Sequence, residues 1–120
     1  MRKPSDAVYL HHMLDATQRA ESFAVDVDEV RFQASDLLQS AIAHQAQIIG
    51  EAARLVSPEL KAADPETPWT SITGTRHRVV HDYVRLNTRM VWLVVRDELP
   101  AMRHQLQRIL ELWESRPDAT

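Results

Sequence analysis

From Val30 to Val56 the apolar side chains return at three- and four-residue steps: Val30, Ala34, Leu37, Leu38, Ala41, Ile48, Ile49, Ala52, Leu55 and Val56. A stripe with that spacing is buried on one side of an α-helix. Ser57-Pro58 ends it. If continuous, the helix spans roughly 40 Å at a rise of 1.5 Å per residue. A rod that long overhangs a small bundle, and its free apolar face calls for a partner. Gly50 inside it is a local weakness unless two backbones approach closely there. Gln45 falls where the apolar pattern would continue, which hints at a polar contact along the seam.

The rest of the chain follows the same rule. It holds only two glycines in 120 residues, and its six prolines lie outside the periodic stretches or at their ends. That favours long helices over the turn-rich spacing of an all-β chain. Pro4-Ser5-Asp6 opens a first helix with Tyr9, Met13, Ala16, Ala20 and Phe23 on one stripe. Asp26 and Glu29 have capping-box spacing and open the long second helix. Residues 58–68, with Pro58, Pro65 and Pro68, read as a loop. Trp69, Ile72, Val79, Val80 and Tyr83 predict a third helix ending near Tyr83–Leu86. Asn87 caps a fourth, with Val91, Trp92, Val95 and Leu99. Pro100 breaks or kinks the chain and can start a fifth helix, striped by Met102, Leu106, Ile109, Leu110 and Trp113. The expected architecture is a single all-α domain over residues 1–120, a four- to five-helix bundle with a frayed tail at 115–120.

Composition narrows the setting. Hydrophobic residues make up 44% and charged residues 26%, the balance of an ordinary folded domain. There is no cysteine, so disulfides and thiolate metal sites are excluded. The N-terminus lacks the apolar run of a signal peptide and no stretch approaches a membrane span, so a cytoplasmic protein is expected. The net charge of −3 argues against diffuse nucleic-acid binding. Arg76, Arg78, Arg85 and Arg89 nevertheless stand against the single acid Asp82, a local excess of positive charge. Such a patch in an acidic chain suits either a defined anion site or a solvated helix face.

The chemistry concentrates in Arg76-His77-Arg78-Val79-Val80-His81-Asp82-Tyr83. Guanidinium matches phosphate oxygens with paired donors, and imidazole titrates near neutrality. Together they can hold a phosphodiester and move a proton. On one helix, five residues place Arg76 and His81 about 140° apart. They converge only if the helix ends near His81, if the arginine arm swings across, or if a second subunit contributes. His77 and His81, four apart, would share a helix face and could form part of a zinc site, but no third ligand follows at a telling distance and the HExxH glutamate is missing. As isolated residues, His81 and Tyr83 would equally suit a partly buried core with satisfied polar tips.

Arg76, His81 and Tyr83 together resemble the RxxxxHxY motif of the HEPN superfamily. They are most similar to the HepT-like toxins paired with minimal nucleotidyltransferase (MNT-type) antitoxins in type II or type VII toxin–antitoxin systems. Ile48-Ile49-Gly50-Glu51-Ala52-Ala53 resembles the apolar-Gly-Glu-Ala stretch of that family's second helix. Pro68-Trp69-Thr70-Ser71-Ile72-Thr73-Gly74 resembles its lead-in to the catalytic helix, and Val91-Trp92 and Asp97-Glu98-Leu99-Pro100 its closing landmarks. The likeness runs from about Tyr9 to Trp113. Thr75 departs from it, standing where relatives usually carry an apolar residue, as does Asp82, where a small residue is often seen.

The resemblance implies a homodimeric endoribonuclease toxin that uses no metal and no cofactor. His81 would serve as base for attack of the ribose 2′-OH on phosphate, and Arg76 would hold that phosphate. His77 would assist by hydrogen bonding. Arg78, Arg85 and Arg89 would either extend a phosphate track or remain solvated surface charges. Tyr83 would receive AMP from the nucleotidyltransferase antitoxin, silencing the toxin. Glu51 would line the cleft or anchor an arginine. The implied partners are an RNA substrate (transfer or messenger RNA), a second copy of the chain, and the antitoxin, with higher hetero-oligomers within reach; neither membrane nor DNA is implied. The alternative is a HEPN module that binds nucleotide or RNA without cleaving it.

Overall fold

The computed structural model describes residues 5–82 and 85–114, with the backbone alone for His81 and Asp82. The described chain is predominantly helical. Helix α1 (Asp6–Phe23) packs against α3 (Asp36–Leu55) and α8 (Leu99–Glu114), and the core fills the space between them. Leu10, Met13, Phe32, Ile42, Ile49 and Leu106 are fully buried there. Each such side chain contributes roughly 2 kcal/mol through its removal from water. The Phe32 and Trp92 rings meet at 5.3 Å between centroids and join the short α2 (Glu29–Gln33) to α7 (Thr88–Leu93). None of the described helices is long and apolar enough to cross a membrane.

The long second helix expected from the stripe is two helices. It breaks at Ala34-Ser35, where Ser35 takes an extended conformation and its Oγ accepts from Leu38 N at 3.1 Å, capping α3. The buried Gln39 stabilises the break, because its Nε2 donates to the carbonyls of Phe32 and Gln33 at 3.0 and 3.1 Å. Apolar periodicity carries across such a break unchanged, while the cap does not register in it. The α2 cap is Asp28, whose Oδ1 accepts from Arg31 N at 2.8 Å, and not Asp26, which sits at φ 58° in the preceding turn.

The segment read as a loop after Ser57 contains α4 (Pro58–Ala63). Proline at the first helical position gives up an amide that would have had no partner. Ser57 Oγ accepts from Leu60 N at 3.2 Å, and Asp6 takes both the amide and the hydroxyl of Ser57 at 2.9 and 2.6 Å. The start of α4 is thereby tied to the start of α1.

The expected third helix is shorter than its stripe. It consists of α5 (Trp69–Thr73) and α6 (Thr75–Val79), joined at Gly74, and then gives way to β1 (Val80–Asp82). β1 pairs antiparallel with β2 (Arg85–Leu86) in an irregular register, and Asn87 N closes on Val79 O at 2.7 Å. The adjacent β-branched Val79 and Val80 favour this extended exit. Asn87 caps α7 as expected, its Oδ1 accepting from Met90 N at 3.2 Å. Pro100 does not interrupt the helical run, and it stands at the start of α8, the expected fifth helix. Helical structure runs from Thr88 to Glu114 through a π turn at Val94–Glu98, in which Leu99 N donates to Val94 O five residues back. Tyr83 and the tail at 115–120 lie outside the described residues.

Candidate active-site groove

Gly50 sets the position of α5 and α6. A Cβ at Gly50 would lie 3.1 Å from the carbonyl oxygen of Ile72 and 3.8 Å from Thr75 Cβ, so any side chain there would press on the Ile72 carbonyl and make it retreat by a few tenths of an ångström. The close approach anticipated from the sequence is therefore present, and α5 and α6 supply it. Thr75, buried at the start of α6, donates from Oγ1 to Ile72 O at 2.7 Å and accepts from Arg78 Nη2 at 3.3 Å. A hydroxyl at this otherwise apolar position is thus fully used.

Arg78 is anchored elsewhere than the groove. Its Nη1 and Nη2 reach Glu98 Oε2 and Oε1 at 2.7 and 2.8 Å, both partners being about 30% exposed (28% and 32%). The hydrogen bond to Glu98 raises the Arg78 pKa further above its ordinary value, against some loss of hydration. Neither a phosphate track nor a solvated surface charge describes it. Glu98 is the last residue of the π turn, two positions before Pro100.

Arg76 and His77 are exposed on the opposite side of α6 and line a groove of about 580 Å³. Its other walls are Gln47, Gly50, Glu51 and Arg54 of α3, Lys61 of α4, Trp69, Thr70 and Thr73 of α5, and Gly74. Among the described residues, three permanent cations from three helices, Arg54, Lys61 and Arg76, line the groove with one acid, Glu51. Glu51 both lines the groove and anchors an arginine, taking Arg54 Nη2 at 2.6 Å and Nε at 3.3 Å. That hydrogen bond holds the Glu51 carboxyl below the usual range, against a loss of hydration that is the next largest effect; the charges of Arg54 and Arg76 add smaller lowering contributions. Arg76 forms no salt bridge with any described residue.

The helix end bears directly on the other motif residues. α6 stops at Val79, with Val80 extended at φ −104° and ψ 113°. Arg76 therefore sits on the last turn of α6 and the His81 backbone in β1, so the 140° divergence of a continuous helix does not apply. The same break removes the shared helix face expected for His77 and His81. Arg85 is exposed on β2, and Arg89 lies at the start of α7, 3.4 Å from Glu29; neither lines the groove. Arg54, Lys61 and Gln47 do line it, but they lie far from the motif in sequence and carry no signal beyond ordinary helix patterning.

Comparison with known proteins identifies the family. The family described as "Ribonuclease HepT-like" matches residues 13–109. "Putative RNase MJ1380" of Methanocaldococcus jannaschii is 23% identical over 89% of this chain and 98% of its own length. "Probable ribonuclease HepT" of Thermococcus cleftensis is 25% identical over 89% of this chain and 97% of its own. "Putative RNase TTE0752" of Caldanaerobacter subterraneus is 27% identical over 86% and 92%. No solved structure matches the chain. A match spanning most of the helical core places this chain in the HepT-like ribonuclease family.

Proposed function

We propose that this chain is the RNase toxin of a toxin–antitoxin pair and cleaves RNA without a metal ion, as a homodimer. His81 takes the proton from a ribose 2′-OH, and the 2′ oxygen attacks the adjacent phosphorus. The bond to the 5′ oxygen breaks, and that oxygen leaves with a proton drawn from solvent. The products are a 2′,3′-cyclic phosphate and a 5′-hydroxyl. Arg76 holds the phosphate and balances the charge that grows on its oxygens in the transition state. His77, exposed beside it, assists by hydrogen bonding. Transfer RNA and messenger RNA are the substrate candidates.

One observation carries this reading: an exposed arginine without a salt bridge among the described residues, at a cationic groove, in a chain of a ribonuclease family. The helix end at Val79 supports it, because Arg76 and His81 are no longer bound to opposite sides of one rod.

Control rests on the motif tyrosine. The nucleotidyltransferase partner directs the Tyr83 hydroxyl onto the α-phosphorus of ATP, forming a tyrosyl phosphodiester and releasing pyrophosphate. The added AMP puts bulk and negative charge where substrate phosphate belongs, which opposes binding as an inhibitory phosphorylation does.

The test is cleavage of a transfer RNA mixture in the presence of a chelator, comparing wild type with His81→Ala. Strong loss in the variant is expected. Equal cleavage by both proteins would remove His81 from the chemistry, and binding without cleavage by wild type would make the chain a non-catalytic RNA-binding module.

A further inference from the structure

Arg54 and Lys61 each have a local role as the basic residue in the last turn of α3 and of α4, where a cation complements the helix dipole. That explains each one separately. It does not explain why both face the groove that also holds Arg76. Lys61 is half-buried, and among the described residues it makes no ion pair. Lys61 lines the groove wall with part of its side chain covered, so its cation is available to an anion held there. Arg54 is held in the groove by Glu51, with 58% of its side chain still exposed and able to reach a second anion.

We propose that this end of the groove is a second phosphate subsite, in which Arg54 and Lys61 hold an RNA backbone phosphate flanking the one at Arg76. Glu51 tunes it by competing with that phosphate for Arg54. The inference rests on the RNase reading above, and it redirects the phosphate track. The track runs from Arg76 along α3 towards α4, away from Arg78, which Glu98 already occupies, and away from Arg89 beside Glu29. The groove volume of about 580 Å³ lies within the range of ordinary ligand sites and leaves room for more than one phosphate group. Glu51 makes the subsite adjustable, because neutralising it removes a repulsive charge and releases an arginine together.

The test uses the full-length protein carrying His81→Ala, so that RNA is bound but not consumed, and a fluorescein-labelled 12-nucleotide uridine oligoribonucleotide. Affinity is measured across a salt series. Each phosphate contact on single-stranded nucleic acid contributes about 0.7 to the slope of log affinity against log salt. Adding Arg54→Gln and Lys61→Gln is expected to weaken binding at least tenfold and to reduce the slope by about 0.7, the share of the one phosphate they hold. Adding Glu51→Gln instead is expected to tighten binding severalfold. In the otherwise wild-type protein, the Arg54→Gln/Lys61→Gln pair should raise KM for transfer RNA and leave kcat within about twofold. An unchanged slope and affinity in the double variant, or weaker binding in Glu51→Gln, would overturn the subsite. Absence of cleavage by wild type alongside a reduced slope in the double variant would instead count against the RNase reading and leave the subsite standing.

Discussion

The guanidinium of Arg78 closes on the carboxylate of Glu98 through two hydrogen bonds of 2.7 and 2.8 Å, tying α6 to the π turn ahead of α8. Arg78 also donates to Thr75, itself bonded to the Ile72 carbonyl. Three consecutive pieces of the site wall are therefore linked by one half-buried ion pair. A paired, charge-assisted contact with both ends largely shielded contributes more than an exposed bridge, about 1–2 kcal/mol. Arg78→Ala is expected to lower the melting temperature by roughly 3–8 °C, as followed by circular dichroism. An unchanged melting temperature would show that the pair contributes nothing.

Arg76, two residues earlier, is expected to behave in the opposite way. It is exposed and makes no salt bridge among the described residues, so Arg76→Ala should leave the melting temperature within about 1 °C. Its loss should lower kcat for RNA cleavage by about a hundredfold or more, the usual cost of removing one donor to a developing oxyanion. Arg76→Lys keeps the charge but loses the two-pronged geometry, so it should recover only part of that loss. If Arg76→Ala cleaves normally while Arg78→Ala does not, the two arginines have been given each other's roles.

Gly50 offers a test of how tightly the site wall is built. Alanine is the better helix former by about 1 kcal/mol, and in an open position the exchange would stabilise α3. Here the new methyl would meet the Ile72 carbonyl oxygen at 3.1 Å. That carbonyl is backbone and already held by the Thr75 hydroxyl, so it has little freedom to retreat. Overpacking typically costs about 1–3 kcal/mol, enough to outweigh the propensity gain. Gly50→Ala is expected to unfold at lower denaturant concentration, and Gly50→Val at lower still. A stabilised Gly50→Ala would mean that α5 moves away from α3 at little cost.

The helical class, the Asn87 cap and the close approach at Gly50 were legible in the sequence because each depends on local spacing or on one residue type. The break at Ala34-Ser35 was not, because its main support is the Gln39 side chain reaching back to Phe32 and Gln33, a tertiary contact that periodicity does not encode. The end of α6 was missed for a similar reason. Val79, Val80 and Tyr83 continue a helical stripe, yet Val80 turns to pair with Leu86. Within the groove the sequence brought out Arg76 and His77 of the motif segment, and Glu51 as a residue that would line a cleft or anchor an arginine. It also counted Arg78, Arg85 and Arg89 into one cationic patch, since a charge count cannot see Glu98 folding back on Arg78. Arg54 and Lys61 stayed hidden because their significance comes only from facing Arg76 across the groove.

The Glu51 carboxyl titrates below its ordinary range chiefly because of the hydrogen bond from Arg54, with the charges of Arg54 and Arg76 adding to the effect. A depressed carboxylate pKa gives a contribution to folding that is present above the unfolded-state value and disappears as pH falls through the folded-state one. Glu51 is well exposed, so this contribution is small, and the informative quantity is the titration itself. Carbon-13 NMR of the Glu51 carboxyl should give a midpoint below that of an ordinary glutamate in the wild type. Arg54→Gln should move it upward, and Arg76→Gln should move it upward by less. Any advantage of wild type over Arg54→Gln in urea denaturation should shrink as the medium is acidified through the wild-type midpoint. An identical Glu51 midpoint in wild type and Arg54→Gln would mean that the pair does not persist in solution, and Arg54 would then face the groove without competition from Glu51.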